Sequence, residues 1–205
     1  MLLTLLRHGD VEGRAQVLRG RSDPPLSAHG EQQLQQAWQS IAPTVTALAC
    51  SPLRRCVLFT QHQAAQLQLP LHCIDALREI DFGDWEELTL SEAEAHNPSS
   101  FAQFKHDTDN WCPPNGESYA AFRTRVRVAL VQLATIDTKH LLVMTHGGVI
   151  RALIAELLQL SAASAARIGV PLAGISQLWI EDGQAIDQPI TGSLLRLHWL
   201  EPPCS

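Results

Sequence analysis

A three-layer α/β/α architecture, built on a mostly parallel central sheet with an antiparallel edge, follows from three observations on this 205-residue chain. Apolar runs free of Gly and Pro recur at 2–6, 45–50 and 140–145, the signature of short buried strands. Longer segments with helical spacing of apolar residues separate them, each with recognisable start or stop signals. Near the C-terminus two further apolar runs, 176–180 and 194–199, flank an Asp182-Gly183 turn signal and supply an antiparallel pair. Strands alternating with helices give a parallel sheet covered on both faces.

The first strand, Leu2 to Leu6, runs into Arg7-His8-Gly9 and then into a long stretch, 10–25, that carries Gly, Pro and three arginines. Loops of that length inside compact domains tend to be functional. Ser27 is placed to cap a first helix whose apolar positions are Leu34, Ala37, Trp38 and Ile41, and which ends before Pro43. Val45 to Cys50 forms the second strand. Ser51-Pro52 predicts an N-cap and first helical residue for a helix from Pro52 to about Leu67. A short third strand covers 71–74, and the mixed acidic and aromatic run from Leu77 to Glu87 has no clean period and reads as loop. Short helices and loop fill 91–114. A helix from Glu117 to about Thr135 carries Phe122, Val126, Leu130 and Leu133 on one side, with Arg123, Arg125 and Arg127 largely outside that stripe. After the strand at 140–145, His146-Gly147-Gly148 leads into a helix from Val149 to Leu160, and the tail from Glu201 to Ser205 is expected to fray.

One domain, 1–205, is expected for a chain of this length. Hydrophobic content of 45% and charged content of 18% are globular values, and no apolar run is long enough to span a membrane. The first six residues are too short for a signal segment before Arg7 and His8 interrupt them, so a cytoplasmic location is expected. The five cysteines are scattered and odd in number, which suits reduced, mostly buried thiols rather than a zinc site or disulfide framework. A formal charge of −6 speaks against a general nucleic-acid or anionic-membrane surface. Any anion site must be local.

Three strand ends carry such local groups: Arg7-His8, the run from Ser51 to Arg55, and His146-Gly147-Gly148. The carboxyl ends of parallel strands share one sheet edge, so two histidines and two arginines converge there. Guanidinium forks match phosphoryl oxygens and stay charged. Backbone N–H groups of Gly147 and Gly148, at a helix start, add donors for an anion. The pattern therefore favours a phosphate dianion.

Five blocks now resemble the histidine phosphatase superfamily, the phosphoglycerate mutase-like family, in its own order. They are Leu6-Arg7-His8-Gly9; Gly20-x-x-Asp23-x-Pro25-Leu26-Ser27-x-x-Gly30; Ser51-Pro52-Leu53-Arg54-Arg55; Leu77 to Glu86; and Thr145-His146-Gly147-Gly148. The resemblance implies a phosphoglycerate mutase-like fold and a two-step phosphoryl transfer without cofactor or metal. His8 would attack phosphorus, Arg7, Arg55 and His146 would bind and stabilise the transferring group, and Glu79 would protonate the leaving oxygen and then activate water. His8 must be neutral at its attacking nitrogen, which neighbouring arginines favour. Glu79 must hold a proton, which burial among Ile80, Phe82 and Trp85 would favour. The Ser-x-Leu-x-Arg spacing selects Arg55, and Arg54 is assigned to solvent.

The chain leaves little room for the insertions of mutases, so a phosphatase is favoured. Its first loop, with Leu18-Arg19-Gly20-Arg21-Ser22-Asp23, resembles α-ribazole phosphatases of cobalamin assembly, which implies α-ribazole 5′-phosphate or the cobalamin phosphate carrying it as substrate. Arg19, Arg21 and Ser22 join Arg7, Arg55, His146 and Gly147 as candidate substrate-binding residues, with a solvated loop an equal reading for Arg19 and Arg21. Two departures stand out: Arg14 lies near where many members have Asn, and Glu87 replaces the Gly that usually follows Trp-Glu. The expected partner is a small phosphomonoester, with no nucleic acid or membrane, and the expected state is monomer or homodimer. Other small-molecule or sugar-phosphate phosphatases and phosphoglycerate mutases share the five blocks. Two readings from other classes are a metal-dependent hydrolase using His8, His146, Glu79 and Asp81, and a non-catalytic phosphometabolite-binding module.

Overall fold

The computed structural model describes residues 1–107 and 109–180, and the backbone of 192–198. The Asp182-Gly183 turn, Trp199 and the tail lie outside the described residues. Six strands form one sheet in the order β3-β2-β4-β1-β5-β6: β1 Leu2–Arg7, β2 Ala47–Cys50, β3 Leu71–Cys73, β4 His140–Thr145, β5 Ile175–Ile180 and β6 Gly192–His198. The first four run parallel, while β5 and β6 add the expected antiparallel edge. Leu-rich β1 and β4 lie at the centre, where both faces are covered, and this is why neither alternates polar with apolar residues.

Helices α1 (Ala28–Ile41) and α2 (Arg54–Leu67) cover one face, burying Leu34, Trp38, Ile41 and Cys56 against Leu6, Leu48 and Met144. The other face carries α3 (Leu90–His96), α4 (Pro98–His106), α5 (Tyr119–Ala134) and α6 (Gly147–Leu157), whose core includes Trp85, Phe101, Phe122, Val126 and Leu153. A short α7 (Ala162–Ala166) was not foreseen. Its Ala-rich sequence has no wide apolar stripe, and only Ala162 and Ala165 are buried. A 3₁₀ turn at Gly83–Trp85 lies inside the segment expected as loop, and another, Asp75–Leu77, leads into it.

Ser27 caps α1 by accepting from the Gly30 N–H at 3.0 Å, as its position predicts. The start of α2 differs from expectation. It begins at Arg54, not Pro52, with Leu53 at the N-cap position, while the Ser51 hydroxyl oxygen accepts both from the Leu53 N–H at 3.3 Å and from His146 at 2.8 Å. Asp23, from the long loop, accepts from the Arg54 N–H at 2.7 Å and supplies the missing acceptor. Cys50 and Cys56 are buried as expected, whereas Cys73 and Cys112 are exposed: Cys73 ends the edge strand and Cys112 sits in a loop.

The entry to α1 presses against the end of β1. A Cβ on Gly9 would lie 2.3 Å from the Gly30 carbonyl oxygen, and one on Gly30 would lie 1.9 Å from that of Asp10. Both contacts are backbone against backbone, so only hydrogen fits at either position.

Candidate active site

Strands β1 and β4 pair with Arg7 opposite Thr145, which places the next residues, His8 and His146, side by side. Their rings meet edge-on with centroids 5.3 Å apart. On the other flank β2 pairs Cys50 with Met144, bringing Ser51 to the same sheet edge. The convergence expected at the strand ends thus results from register.

Hydrogen-bond partners fix both tautomers. His8 Nδ1 lies 2.8 Å from the Gly9 carbonyl oxygen, which can only accept, so Nδ1 carries the hydrogen and Nε2 keeps its lone pair. At His146 the arrangement is reversed: Arg55 Nε donates to Nδ1 at 3.2 Å, so Nε2 carries the hydrogen and donates to the Ser51 hydroxyl at 2.8 Å. Burial, followed by the charges of Arg55 and Arg7, lowers the His8 pKa to about 3. Burial and Arg55 also hold His146 well below the ordinary imidazole value. Both rings are neutral at neutral pH.

Arg55 is 1% exposed and donates from three directions, to His146, to the Ser22 carbonyl oxygen at 2.7 Å and to the Gly20 carbonyl oxygen at 2.9 Å. Arg7 donates from Nη1 to the Val170 carbonyl oxygen at 2.6 Å, while its buried Nε has no protein partner. A donor buried in this way calls for an acceptor, and a phosphate oxygen supplies one. The virtual Cβ of Gly147 lies 3.4 Å from Arg7 Nε and 3.6 Å from Arg151 Nη1, so the start of α6 is flanked by two guanidinium groups. A helix N-terminus and clustered cations make this a pocket for an anion.

Glu79 faces the same helix start. Its Oε2 accepts from the Gly148 N–H at 2.9 Å and its Oε1 from the Ile80 N–H at 3.1 Å, so the Gly148 donor expected for an anion is engaged by Glu79. The enclosure expected from Ile80, Phe82 and Trp85 is not seen: Glu79 is only half-buried, because Ile80 and Trp85 turn into the core instead.

The long loop closes over the 81–92 segment. Arg19 forms a bidentate pair with Glu87 at 2.7 and 2.8 Å, Arg21 pairs with Asp81 at 3.1 Å, and Arg14 with Glu92 at 2.9 Å. The Ser22 hydroxyl donates to Glu87 at 2.6 Å. Glu86 gathers the backbone N–H groups of Gly20, Arg21, Ser22 and Phe82 at 2.9–3.2 Å. The two departures noted in the sequence, Arg14 and Glu87, therefore both belong to this closure. Arg54 is exposed, as assigned.

Three supporting residues escaped the sequence reading. Ser51, expected as a cap within the strand-end run from 51 to 55, orients His146. Arg151 follows Gly147 by one helical turn and is anchored to the Ile168 carbonyl oxygen at 2.8 Å. Arg125 spans the segment that carries Glu79: it donates to the carbonyls of Ala76, Arg78 and Glu79 at 2.9, 2.7 and 3.3 Å and pairs with Glu117 at 2.6 Å. The position of Arg125 outside the apolar stripe was the available signal, though it equally describes a solvated arginine. Among the described residues no group of three or more His, Cys, Asp or Glu side chains is placed to hold a metal ion, and no helix is long and apolar enough to cross a membrane.

The model of the histidine phosphatase superfamily (branch 1) matches residues 3–187. Adenosylcobalamin/alpha-ribazole phosphatase of Salmonella typhimurium is 34% identical over 168 residues, covering 80% of this chain and 83% of its own. The crystal structure of alpha-ribazole phosphatase from Shigella flexneri superposes with a TM-score of 0.83 at 27% identity, covering 96% of both chains. Mycobacterial glucosyl-3-phosphoglycerate phosphatase superposes with a TM-score of 0.77 at 27% identity, covering 94% of this chain and 96% of that one.

Proposed function

The chain belongs to the histidine phosphatase superfamily, branch 1, and from that premise we propose that this phosphatase hydrolyses a small phosphomonoester through a phosphohistidine on His8, with α-ribazole 5′-phosphate as substrate. The observation that carries the mechanism is the Nδ1–H bond from His8 to the Gly9 carbonyl oxygen, which leaves Nε2 as a neutral nucleophile inside a cationic pocket. As Nε2 bonds to phosphorus the ring gains positive charge, and the bond from Nδ1 to the carbonyl strengthens. Arg7 and Arg55 balance charge on the transferring group, with His146 beside them. The ester oxygen leaves with a proton from Glu79. In the second step Glu79 takes a proton from water, whose oxygen attacks phosphorus and restores His8.

The substrate rests on the likeness to alpha-ribazole phosphatases in sequence and in structure. The likeness to glucosyl-3-phosphoglycerate phosphatase supports a second reading, a phosphoglycerate-type ester whose alcohol carries a carboxylate. Residues 1–205 form one domain on this proposal.

The test combines two variants with a substrate panel. His8→Ala is expected to abolish both acid-labile phosphate incorporation and turnover, and wild-type rates in that variant would overturn the mechanism. Glu79→Gln should lower kcat by about 10²- to 10⁴-fold, the range of a general acid–base, with little change in affinity for inorganic phosphate. Among α-ribazole 5′-phosphate, 2- and 3-phosphoglycerate and fructose 2,6-bisphosphate, the first should show the highest kcat/KM.

A further inference from the structure

Glu87 has the left-handed backbone conformation, with φ of 60°, that only Gly adopts without strain. Its carboxylate nevertheless holds Arg19 in both arms, and Ser22 adds a third bond. Arg19 is 12% exposed along its side chain. The backbone that carries it lines the phosphate pocket, because the carbonyls of Gly20 and Ser22 accept from Arg55 at 2.9 and 2.7 Å, and Arg19 therefore sits at the pocket mouth. Asp10 and Glu86 add further negative charge around it.

We propose that Glu87 is a specificity-determining residue: by neutralising Arg19 at the pocket mouth it restricts the enzyme to phosphomonoesters whose alcohol carries no second anionic group. This rests on the phosphatase reading given above. The cations that bind the transferring phosphate, Arg7 and Arg55, lie deeper, and among the described residues neither is in a direct pair with a carboxylate. The three loop arginines, 14, 19 and 21, are instead each matched by an acid of the 81–92 segment. A carboxylate or second phosphate on the leaving group would find each of these loop cations already paired. Hydrogen bonding to Arg19 holds the Glu87 pKa at about 2, so the neutralisation persists through ordinary pH.

The experiment compares kcat/KM for 3-phosphoglycerate with that for p-nitrophenyl phosphate in wild type and in Glu87→Gly, which accepts the left-handed backbone. The ratio is expected to rise about tenfold, the effect of roughly 1.4 kcal/mol at the transition state. It should return to the wild-type value in the Arg19→Ala/Glu87→Gly double variant. Glu87→Gln, which keeps a hydrogen bond to Arg19 and removes the charge, should move the ratio in the same direction. The same preference is read without turnover by calorimetry, as the affinity for methylenediphosphonate relative to inorganic phosphate. An unchanged ratio in both single variants, or a raised ratio that survives loss of Arg19, overturns the inference while leaving the phosphatase reading intact. A wild-type protein inactive on every phosphomonoester overturns the phosphatase reading, and the calorimetric ratio then still decides whether Glu87 governs anion selection.

Discussion

His146 depends on Ser51 for its orientation, since the buried Nε2–H has the Ser51 hydroxyl as its acceptor and Arg55 occupies the other nitrogen. Ser51→Ala leaves that N–H of a fully buried ring without its acceptor, at a cost of about 1–3 kcal/mol in stability. Urea midpoints would measure this, and kcat should fall more than KM rises, because the ring is misoriented rather than lost. At this scale the sequence was readable where chemistry is carried by residue type and strand-end position. His8, His146, Arg7, Arg55 and Glu79 all reach one sheet edge. It was unreadable where a role depends on a distant partner. Ser51 before Pro52 has the pattern of a cap, and nothing local announces that a histidine from β4 will claim its hydroxyl. Glu79 shows the complementary limit: apolar neighbours in sequence suggested burial, but adjacent side chains in an irregular segment point in different directions.

Among the elements, strands were easiest to place, because Leu- and Val-rich runs bounded by polar residues have few alternatives. Helix starts were harder. The segment from Ser51 to Leu53 is drawn into the site and into contact with Asp23, so α2 begins two residues after Pro52. The end of α2 exposes a separate weakness, since Gln68 takes the left-handed conformation at φ 52° on an exposed surface. Gln68→Gly should raise stability by about 0.5–1 kcal/mol, read as a higher Tm, because Gly adopts this C-terminal conformation without the Cβ penalty. A lower Tm would show that the Gln side chain makes a larger contribution than the strain. In α5, Arg125 connects the helix to the segment that carries Glu79. The sequence placed it correctly off the apolar stripe, but its three carbonyl partners come from a loop whose path no periodicity encodes.

For the molecule as a whole, two neutral buried histidines make stability depend on pH. Between pH 6.5 and about 3 the unfolded chain binds a proton at His8 that the folded chain refuses, so stability present above pH 6.5 is lost as pH falls through that window. His146 acts in the same direction. The slope approaches about 1.4 kcal/mol per pH unit for each histidine. Urea midpoints from about pH 7.5 down to about pH 5 should fall accordingly, and His8→Gln should flatten the profile; a level wild-type profile would contradict the burial of both rings as neutral groups. The layered architecture and antiparallel edge were readable from the alternation of strands and helices. Strand order was not, because it is set by which edges meet across long crossovers, and it is this order that makes β1 and β4 neighbours. The backbone contact between Gly9 and Gly30 has a consequence for how such a chain can vary. The obstructing atoms are carbonyls, so no smaller neighbouring side chain can make room for a substitution at either position. Neither glycine can be exchanged with compensation from its partner, so each position admits no side chain whatever changes elsewhere in the chain.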